Sequence, residues 1–492
     1  MNKWSLFAAA MVWSSCGWAA AAPGAAAAPG TAAGTDAAAA EAAAPPPLTA
    51  AAQSEIDGLL QSAVTDGRVA SVTVQVRRLG QVVYSKSVGY ADLEFDVKAT
   101  PDDLYAIGSI TKSMTAYCIL TLVSEGRLKL SDRLSDILPD YPGAGGEATI
   151  RQLLTHTSGI HDYAGDSAPD LIGDPTRLFT EDQVVALFAK QPLDFPAGEH
   201  WRYSNSGFFL LGLVIEKVTG RPYDEVVRDL LFKPFGLSRI LMDYRQPLMK
   251  SRVRGYSHAA DGSFQNVPVY DASVALAAGG YRASVGDLTR YIEALFSDQV
   301  PAAVRSMMMT PMTLNDGTEI SYRPMALVAS RLQGHPVYAH AGGIWGAHAF
   351  ISYMPADQAA IGLFTNTEDG SVNLGDLNRK IARIVLNIPH PPLRDLPLTR
   401  REAEAYEGSY CPREIQEEGG KLMVSYDGGS LTIARSGEAG AAHVRRLRNQ
   451  GKGVFVPGDD EDATVRFRRG KGSLENVEIE TSPGGVQSGP RC

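Results

Sequence analysis

Cysteine is scarce in this sequence of 492 residues, which contains four of them, Cys16, Cys118, Cys411 and Cys492. Their positions lack the close Cys and His spacing of zinc sites, so we expect neither a metal nor a cofactor. Basic residues are also in deficit, with 46 Lys and Arg against 55 Asp and Glu and a net charge of −9. No basic stripe is present, and nucleic acid is therefore excluded as an expected partner.

Long apolar runs are missing from the body of the chain, which predicts no transmembrane span in the mature protein. The exception is the N-terminus, where Lys3 is followed by an uncharged stretch from Trp4 to Trp18 and then by small residues up to Ala22. This pattern is typical of a secretory signal peptide over residues 1–22. We therefore expect a secreted or periplasmic protein.

A lipid-modified Cys16 is the alternative interpretation of the N-terminus. The residues in front of it, Trp13-Ser14-Ser15, lack the small aliphatic residue that bacterial lipoprotein signals usually carry, which favours the cleaved signal peptide. The following residues, 23–50, are almost wholly Ala, Pro and Gly and predict a disordered linker.

The three cysteines outside the signal segment are an odd number, which leaves at least one free thiol. Cys118 lies in an apolar segment and is interpreted as a small buried side chain. Cys411 and Cys492 lie near the two ends of the last segment. A disulfide between them would suit an oxidising compartment, but the sequence leaves the pairing open.

A Ser-x-x-Lys motif, Ser109-Ile-Thr-Lys112, stands where an apolar helix is expected to begin. Residues 113–123 are mostly apolar and Gly126 is the expected stop, so Ser109 is predicted in the first turn with Lys112 on the same helical face. The unpaired N–H groups there favour an oxyanion, and burial favours a neutral amine. By itself the motif is also typical of an N-capping serine and a solvated lysine.

A Tyr-x-Asn motif, Tyr203-Ser-Asn205, precedes a second apolar helix over residues 208–219, for which Gly220 is the expected stop. Either Asn205 or Ser206 is predicted to cap this helix, which would hold Tyr203 at its mouth. A phenol in that place can relay a proton, and an Asn amide can donate to a substrate carbonyl. The alternative is an interface tyrosine beside an asparagine cap.

A third motif, His340-Ala-Gly-Gly343, leads into the strand-like residues 347–353. Glycines within a strand usually mark a bulge or the close approach of another backbone or a ligand. The Gly343 N–H is therefore a candidate donor to an oxyanion, together with the Ser109 N–H. His340 alone is also typical of a half-buried strand histidine.

These three motifs, in this order, resemble those of the serine β-lactamase-related hydrolases, a group that includes class C β-lactamases, DD-carboxypeptidases, D-aminopeptidases and related esterases. The surrounding sequence is similar to that family over roughly residues 51–388. It includes the segments Gly89-Tyr-Ala-Asp92, Leu153-Leu-Thr-His-Thr-Ser-Gly159, Phe195-Pro-Ala-Gly198, Gly279-Gly280, Gly286-Asp-Leu288 and Leu363-Phe-Thr-Asn366. So many matches in order indicate membership of the family.

The resemblance implies roles for the motif residues. Ser109 would be acylated, and Lys112 and Tyr203 would share the proton transfers. Asn205 would hold the substrate amide, while the backbone amides of Ser109 and Gly343 would bind the oxyanion. The protein would then be a serine hydrolase that works through an acyl-enzyme.

His340 departs from the class C β-lactamases, which carry at this place a lysine that pairs with a substrate carboxylate. A histidine is mostly neutral at pH 7 and provides no permanent charge. We therefore expect a peptide, amide or ester substrate rather than strong β-lactamase activity. The alternative is a catalytically silent, penicillin-binding-like envelope protein, and the three intact motifs favour the enzyme.

The family-like region, residues 51–390, is predicted to be an α/β (α+β) domain with two lobes around a cleft, as in β-lactamases and DD-peptidases. A helix over residues 54–65 and a hairpin that turns at Leu79-Gly80 open it. Strands from both ends must pair in one antiparallel sheet beside a helical lobe. Beyond the break at Pro389, residues 393–492 alternate in short strands and predict an antiparallel β-barrel or sandwich.

Three further residues have more than one interpretation. His156 and His161 lie five residues apart, but no third ligand is recognisable nearby, so we expect them to stabilise a loop rather than to hold a metal. Trp345 is a wall of the substrate site or a core residue.

The expected partner is a small-molecule or peptide substrate, and the oligomeric state is left open.

Overall fold

The computed structural model describes residues 45–65, 69–164, 174, 176–325, 327–368, 372–390, 392–411, 421–435, 444–458, 463–469, 474–481 and 484–492. The predicted signal peptide and most of the predicted linker lie outside these residues. Within them, no helix is both long and apolar enough to cross a membrane.

The α-helices are numbered in chain order. They are α1 (Ala50–Thr65), α2 (Ile110–Ser124), α3 (Leu134–Ile137), α4 (Ile150–Leu154), α5 (Glu181–Phe188), α6 (Asn205–Thr219), α7 (Tyr223–Val227), α8 (Leu276–Gly279), α9 (Val285–Leu295), α10 (Ala302–Met308), α11 (Leu374–Leu386) and α12 (Arg400–Ala403). Short 3₁₀ turns occur at Ala144–Glu147 and Ala272–Val274, and a π-helical turn, Arg228–Phe232, continues α7.

The strands are numbered in the same way. They are β1 (Ser71–Arg78), β2 (Gln81–Asp92), β3 (Val97–Lys98), β4 (Tyr105–Ala106), β5 (Ile240–Met242), β6 (Tyr256–His258), β7 (Phe264–Asn266), β8 (Tyr281–Ala283), β9 (Pro311–Thr313), β10 (Glu319–Pro324), β11 (Val328–Leu332), β12 (His335–Ile344), β13 (Ala347–Met354), β14 (Ala359–Thr365), β15 (Gly408–Tyr410), β16 (Leu422–Asp427), β17 (Ser430–Arg435), β18 (Arg445–Gly451), β19 (Val454–Pro457), β20 (Thr464–Arg469), β21 (Leu474–Thr481) and β22 (Gly484–Pro490).

A seven-stranded sheet in the order β11-β12-β13-β14-β1-β2-β3 forms the first lobe. Strand β1 pairs antiparallel with β14, with Val72 opposite Thr365, which confirms that strands from the two ends of the domain meet. The β1–β2 hairpin turns at Leu79 and Gly80, both with positive φ, as a tight hairpin requires.

Helices cover both faces of this sheet. Apolar side chains of β1 at positions 72, 74 and 76 pack in one core with α1 and α11. On the opposite face the polar side chains of β1 are also buried, and each finds a partner; Thr289 of α9, for example, donates to Gln75 at 2.7 Å. The alternation of apolar and polar residues in β1 thus separates two buried faces, not a core face from solvent.

Helix α2 lies at the centre of the helical lobe. Every residue from Ile110 to Leu120 is buried, with α6, α8 and α10 packed around it. Helix α2 follows directly after β4 of the small β4-β8-β5 sheet, and it is in contact with β12 of the large sheet. The start of α2 therefore lies in the cleft between the two lobes.

The C-terminal segment forms an eight-stranded antiparallel sheet in simple chain order, β15 to β22. The sheet closes on itself, since Tyr410 bridges antiparallel to Arg491 and the Cys411 N–H donates to the Pro490 carbonyl at 2.9 Å. Of the predicted barrel and sandwich, the barrel is found. Its first and last strands, β15 and β22, were not predicted from the sequence.

The barrel has a core of its own and is joined at its seam. Apolar and aromatic side chains, including Tyr410, Phe455 and Phe467, fill its interior. A disulfide between Cys411 and Cys492 links the two closing strands. Strand β22 lies against β11, the edge strand of the large sheet, one strand away from β12.

Candidate active site

Ser109 stands at the N-cap of α2, with its hydroxyl at the start of the helix. An N-cap residue is usually extended and spends its side-chain oxygen on a backbone N–H. Ser109 instead has helical angles, φ −61° and ψ −10°, and makes no capping hydrogen bond with its side chain. The interpretation as an ordinary capping serine is therefore wrong, and the hydroxyl is turned toward Lys112.

The Lys112 amine is buried beside Ser109, with the residue only 1% exposed. Its Nζ lies 3.1 Å from Ser109 Oγ and donates to Asn205 Oδ1 at 2.7 Å and to the Ala278 carbonyl at 2.6 Å. Burial lowers the pKa of Lys112 to about 7, while the nearby Asp162 charge raises it. The interpretation as a solvated lysine is therefore wrong.

The contacts of the Lys112 nitrogen can be met by the neutral amine, the form that burial favours. A neutral amine has two N–H bonds and one lone pair. The two shortest contacts, to Asn205 and Ala278, take both hydrogens. In that form the lone pair would be left to accept the hydroxyl hydrogen of Ser109, as a general base beside a nucleophile would.

Tyr203 lies over the same amine, with its ring centroid 4.8 Å from Lys112 Nζ. The ring is held from behind by His156, which stacks on it at 4.5 Å between centroids. His156 Nδ1 in turn accepts the Ser204 N–H at 3.1 Å. His156 thus supports Tyr203 at the mouth of α6, a contact that sequence reasoning did not foresee.

The cap of α6 differs from the predicted one. Ser204 is the N-cap, and its hydroxyl accepts the Gly207 N–H at 3.1 Å. Neither Asn205 nor Ser206 caps the helix, so that prediction is wrong. The one-residue shift leaves the Asn205 side chain available for Lys112, and Gly220 ends the helix in the left-handed conformation, as predicted.

Asp162 holds Asn205 and was not singled out from the sequence. Its carboxylate accepts the Asn205 backbone N–H at 2.9 Å and the Asn205 side-chain amide at 3.0 Å. Desolvation raises the pKa of Asp162, against the effect of these donors and of Lys112. No local pattern marks this residue, because its partners lie 43 and 50 positions away in the chain.

The glycines of the third motif bring β12 against the start of α2. A Cβ on Gly342 would lie 1.8 Å from the Ile107 carbonyl oxygen, and one on Gly108 would lie 2.9 Å from the Gly343 nitrogen. Such contact between backbones is possible only for glycine. The Gly343 amide is therefore close to the residue that precedes Ser109.

His340 lies on the same face of β12 as Gly342, because alternate strand residues share a face. That face looks toward the start of α2. Its Nδ1 donates to the Ala341 carbonyl at 2.6 Å, so in the neutral ring Nε2 is the acceptor. Trp345, two residues beyond Gly343, packs on Tyr270 with 5.2 Å between ring centroids.

His156 and His161 do not share a metal site. His161 pairs with Asp194 at 2.9 Å, and Asp194 also pairs with Arg202. Over the part of the chain that the structure describes, no group of three or more His, Cys, Asp and Glu side chains is arranged to hold a metal ion.

Comparison with known proteins identifies the family of this chain. A family model described as Beta-lactamase matches residues 56–386. Penicillin-binding protein 4* of Bacillus subtilis (strain 168) is 27% identical over 315 residues, which cover 60% of this chain and 68% of that protein.

Solved structures share the fold. The D-stereospecific amidohydrolase from Streptomyces sp. is 29% identical, with a TM-score of 0.58 over 67% of this chain and 97% of its own. The octameric penicillin-binding protein homologue from Pyrococcus abyssi, at 22% identity, has a TM-score of 0.61 over 89% of this chain and 99% of its own. Since the family model matches well over half of the sequence, the chain belongs to the serine β-lactamase-related family of hydrolases.

Proposed function

We propose that the protein is an exported serine hydrolase that cleaves a peptide, amide or ester through an acyl-enzyme on Ser109. The observation that carries this proposal is the buried Lys112 amine, whose nitrogen lies 3.1 Å from Ser109 Oγ and is held by the Asn205 side-chain oxygen and the Ala278 carbonyl. Family membership agrees with it.

In the first step Lys112 accepts the Ser109 proton as Oγ attacks the substrate carbonyl. The oxyanion forms at the start of α2, where the Ser109 and Gly343 amides are its donors and the helix N-terminus adds a favourable field. Asn205 has one amide hydrogen in contact with Asp162 and a second for the carbonyl of the substrate.

Bond cleavage requires a proton on the leaving group. The Tyr203 ring lies over the Lys112 amine, 4.8 Å from Nζ to the ring centroid, and in this proposal its phenol passes the proton from Lys112 to the departing amine or alcohol. Water then attacks the acyl-enzyme with the same residues in reversed roles, and Ser109 regains its proton.

The substrate is proposed to be a peptide, amide or ester without a strict need for a free carboxylate. His340, with Nδ1–H bound to the Ala341 carbonyl, offers an acceptor in its neutral form rather than a cation. The likeness to an amidohydrolase at 29% identity supports an amide or a peptide with a D-residue.

Export is supported by two features. The first is the signal-peptide pattern of residues 1–22, which lie outside the described residues. The second is the Cys411–Cys492 disulfide, since such bonds persist in oxidising compartments. Mass spectrometry of the mature protein tests this part of the proposal, because cleavage near Ala22 removes a defined mass.

Covalent modification of the purified protein tests the chemistry. A fluorophosphonate and a fluorescent penicillin are the probes, and we expect a mass shift on the peptide that contains Ser109. The Ser109→Ala variant is the control and should remain unlabelled. A folded wild-type protein that stays unlabelled at high concentrations of both probes would favour the catalytically silent, penicillin-binding-like alternative.

A further inference from the structure

We propose that Asp162 is a positioning residue that fixes the amide of Asn205 and, through it, the amine of Lys112. This inference rests on the proposed function, because it concerns the same general base. Asp162 lies in the loop between α4 and α5, and it touches neither Ser109 nor Tyr203 in the hydrogen bonds described above. Its effect on the chemistry is therefore indirect.

The geometry gives Asn205 a single productive orientation. Carboxylate oxygens accept hydrogen bonds and cannot donate them when ionised. Because Asp162 Oδ2 lies 3.0 Å from the Asn205 side-chain nitrogen, the NH₂ end of the amide must face Asp162, and Oδ1 must face Lys112. The reversed amide would set oxygen against carboxylate and NH₂ against the amine, which is unfavourable at both ends.

The backbone of Asn205 is held by the same carboxylate. Its N–H, in the first turn of α6, has no partner within the helix and donates to Asp162 Oδ1 at 2.9 Å. The Ala164 N–H donates to the same oxygen at 3.3 Å. Asp162 thus ties the start of α6 to its own loop and fixes both the position and the orientation of Asn205.

The direction of the Lys112 lone pair depends on this arrangement. If Asn205 Oδ1 did not accept a hydrogen bond from the amine, the NH₂ group of Lys112 would rotate about the Cε–Nζ bond. Its lone pair would then no longer point at Ser109 Oγ. A misplacement of about 1 Å at a reacting group costs on the order of 10²-fold in rate. The loop residue would therefore influence the rate without contact to substrate.

Asp162 is also the charged group that acts on Lys112, whose pKa its charge raises. The other groups that face the amine include no carboxylate and no second cation: they are Ser109 at the start of α2, the Ala278 carbonyl of α8, the rings of Tyr203 and Phe208, and the amide of Asn205. Tyr163, next to Asp162, donates its hydroxyl to the Val274 carbonyl at 2.5 Å. Removal of the carboxylate charge should accordingly favour the neutral amine at lower pH.

The rate at which a fluorophosphonate forms a phosphonate ester with Ser109 of Asp162→Asn, measured from about pH 5 to 9, tests the proposal. An asparagine at position 162 must present its NH₂ group to one of the Asn205 donors. We expect the maximal rate to fall on the order of 10- to 100-fold. The acidic limb of the profile should move to lower pH, a change that mere loss of stability would not produce.

Asp194→Asn is the matched control, because Asp194 holds the same region through His161 and Arg202 without contact to Asn205. The acidic limb of the pH–rate profile of Asp194→Asn should lie at the same pH as in the wild-type protein. If Asp162→Asn fails to fold, Asp162→Glu retains the charge but displaces the carboxylate by one methylene, and it should slow acylation with the limb unmoved.

The outcomes separate the two proposals. Wild-type protein that is not labelled at all refutes the proposed function, and the role of Asp162 with it. A different outcome overturns the role of Asp162 alone. In it the wild-type protein is labelled, and Asp162→Asn keeps both the wild-type rate and the wild-type acidic limb of the pH–rate profile. A folded Asp162→Glu variant that reacts at the wild-type rate would also overturn the role of Asp162 alone.

Discussion

Burial of the Lys112 amine makes the proposed chemistry dependent on pH. Its pKa is lowered to about 7 by loss of water, so the base is protonated below that pH and neutral above it. The acylation rate should therefore rise as the pH increases through about 7 and level off above. A stopped-flow profile with a p-nitrophenyl ester measures this, and a rate that is flat from about pH 5.5 to 8.5 would contradict it.

Removal of the Lys112 amine should lower the acylation rate at every pH. Lys112→Ala should lower the acylation rate by about 10² to 10⁴, the usual contribution of a general base. Lys129→Ala, which removes an exposed lysine, serves as the control and should acylate like wild type. Unchanged acylation in a folded Lys112→Ala protein would remove this residue from the mechanism.

The side chain at position 340 should decide the preference for charged substrates. His340→Lys adds a permanent charge on the face of β12 that looks toward Ser109, and it should raise kcat/KM for substrates with a free carboxylate relative to those without. A p-nitrophenyl ester, a D-alanyl peptide and a chromogenic cephalosporin are the substrates to compare.

The control for this substitution places the same charge elsewhere on the strand pair. Gln333→Lys lies in the exposed turn between β11 and β12 and should leave the preference unchanged. If the unaltered protein already hydrolyses the cephalosporin best, the argument from His340 is wrong.

At the scale of elements, the contact between β12 and the start of α2 forms the cleft. A Gly342→Ala substitution places a methyl group 1.8 Å from the Ile107 carbonyl, and backbone on both sides must move. We expect a loss of about 1–3 kcal/mol in the free energy of unfolding, as for other overpacked sites. Acylation should fall as well, because the Gly343 amide moves away from Ser109.

Gly58→Ala in α1 is the comparison for that experiment. A Cβ at this helical position meets nothing within 4 Å, so alanine should stabilise the protein by about 0.5–1 kcal/mol. Thermal and urea unfolding report both variants. A Gly342→Ala protein as stable and as reactive as wild type would show that the strand and the helix have room to separate.

On the scale of the whole molecule, removal of the disulfide should lower the stability of the barrel without changing the chemistry of the cleft. Cys411 and Cys492 enclose a sequence separation of 81 residues at the seam of the barrel. Their joint replacement by alanine should cost about 2–4 kcal/mol. Acylation at room temperature should persist, because the proposed catalytic residues lie between positions 109 and 343.

Calorimetry with and without a reductant measures this cost on the wild-type protein. The buried Cys118 is unaffected in both cases and provides no competing bond. A parallel loss of acylation on reduction would instead show that the barrel, which lies against β11, controls the position of β12.

Local sequence determined the helices, the hairpin and the motif residues of this protein. Gly220 stops α6 because only a residue tolerant of positive φ suits that position, and the Leu79-Gly80 turn follows from the same rule. Ser109 and Lys112 share a helical face because three residues make nearly one turn. These features depend on neighbours in the chain.

Tertiary structure alone decided which atoms complete the site. Ala278 comes from α8, whereas His156 and Asp162 both come from the loop after α4, and they meet the motif residues only after the helices have packed around α2. Ser204 caps α6 through the Gly207 N–H while Asp162 takes the N–H of Asn205, and the last strands form a barrel rather than a sandwich because the last strand returns to the first. Such contacts depend on packing between distant residues, which no local pattern encodes.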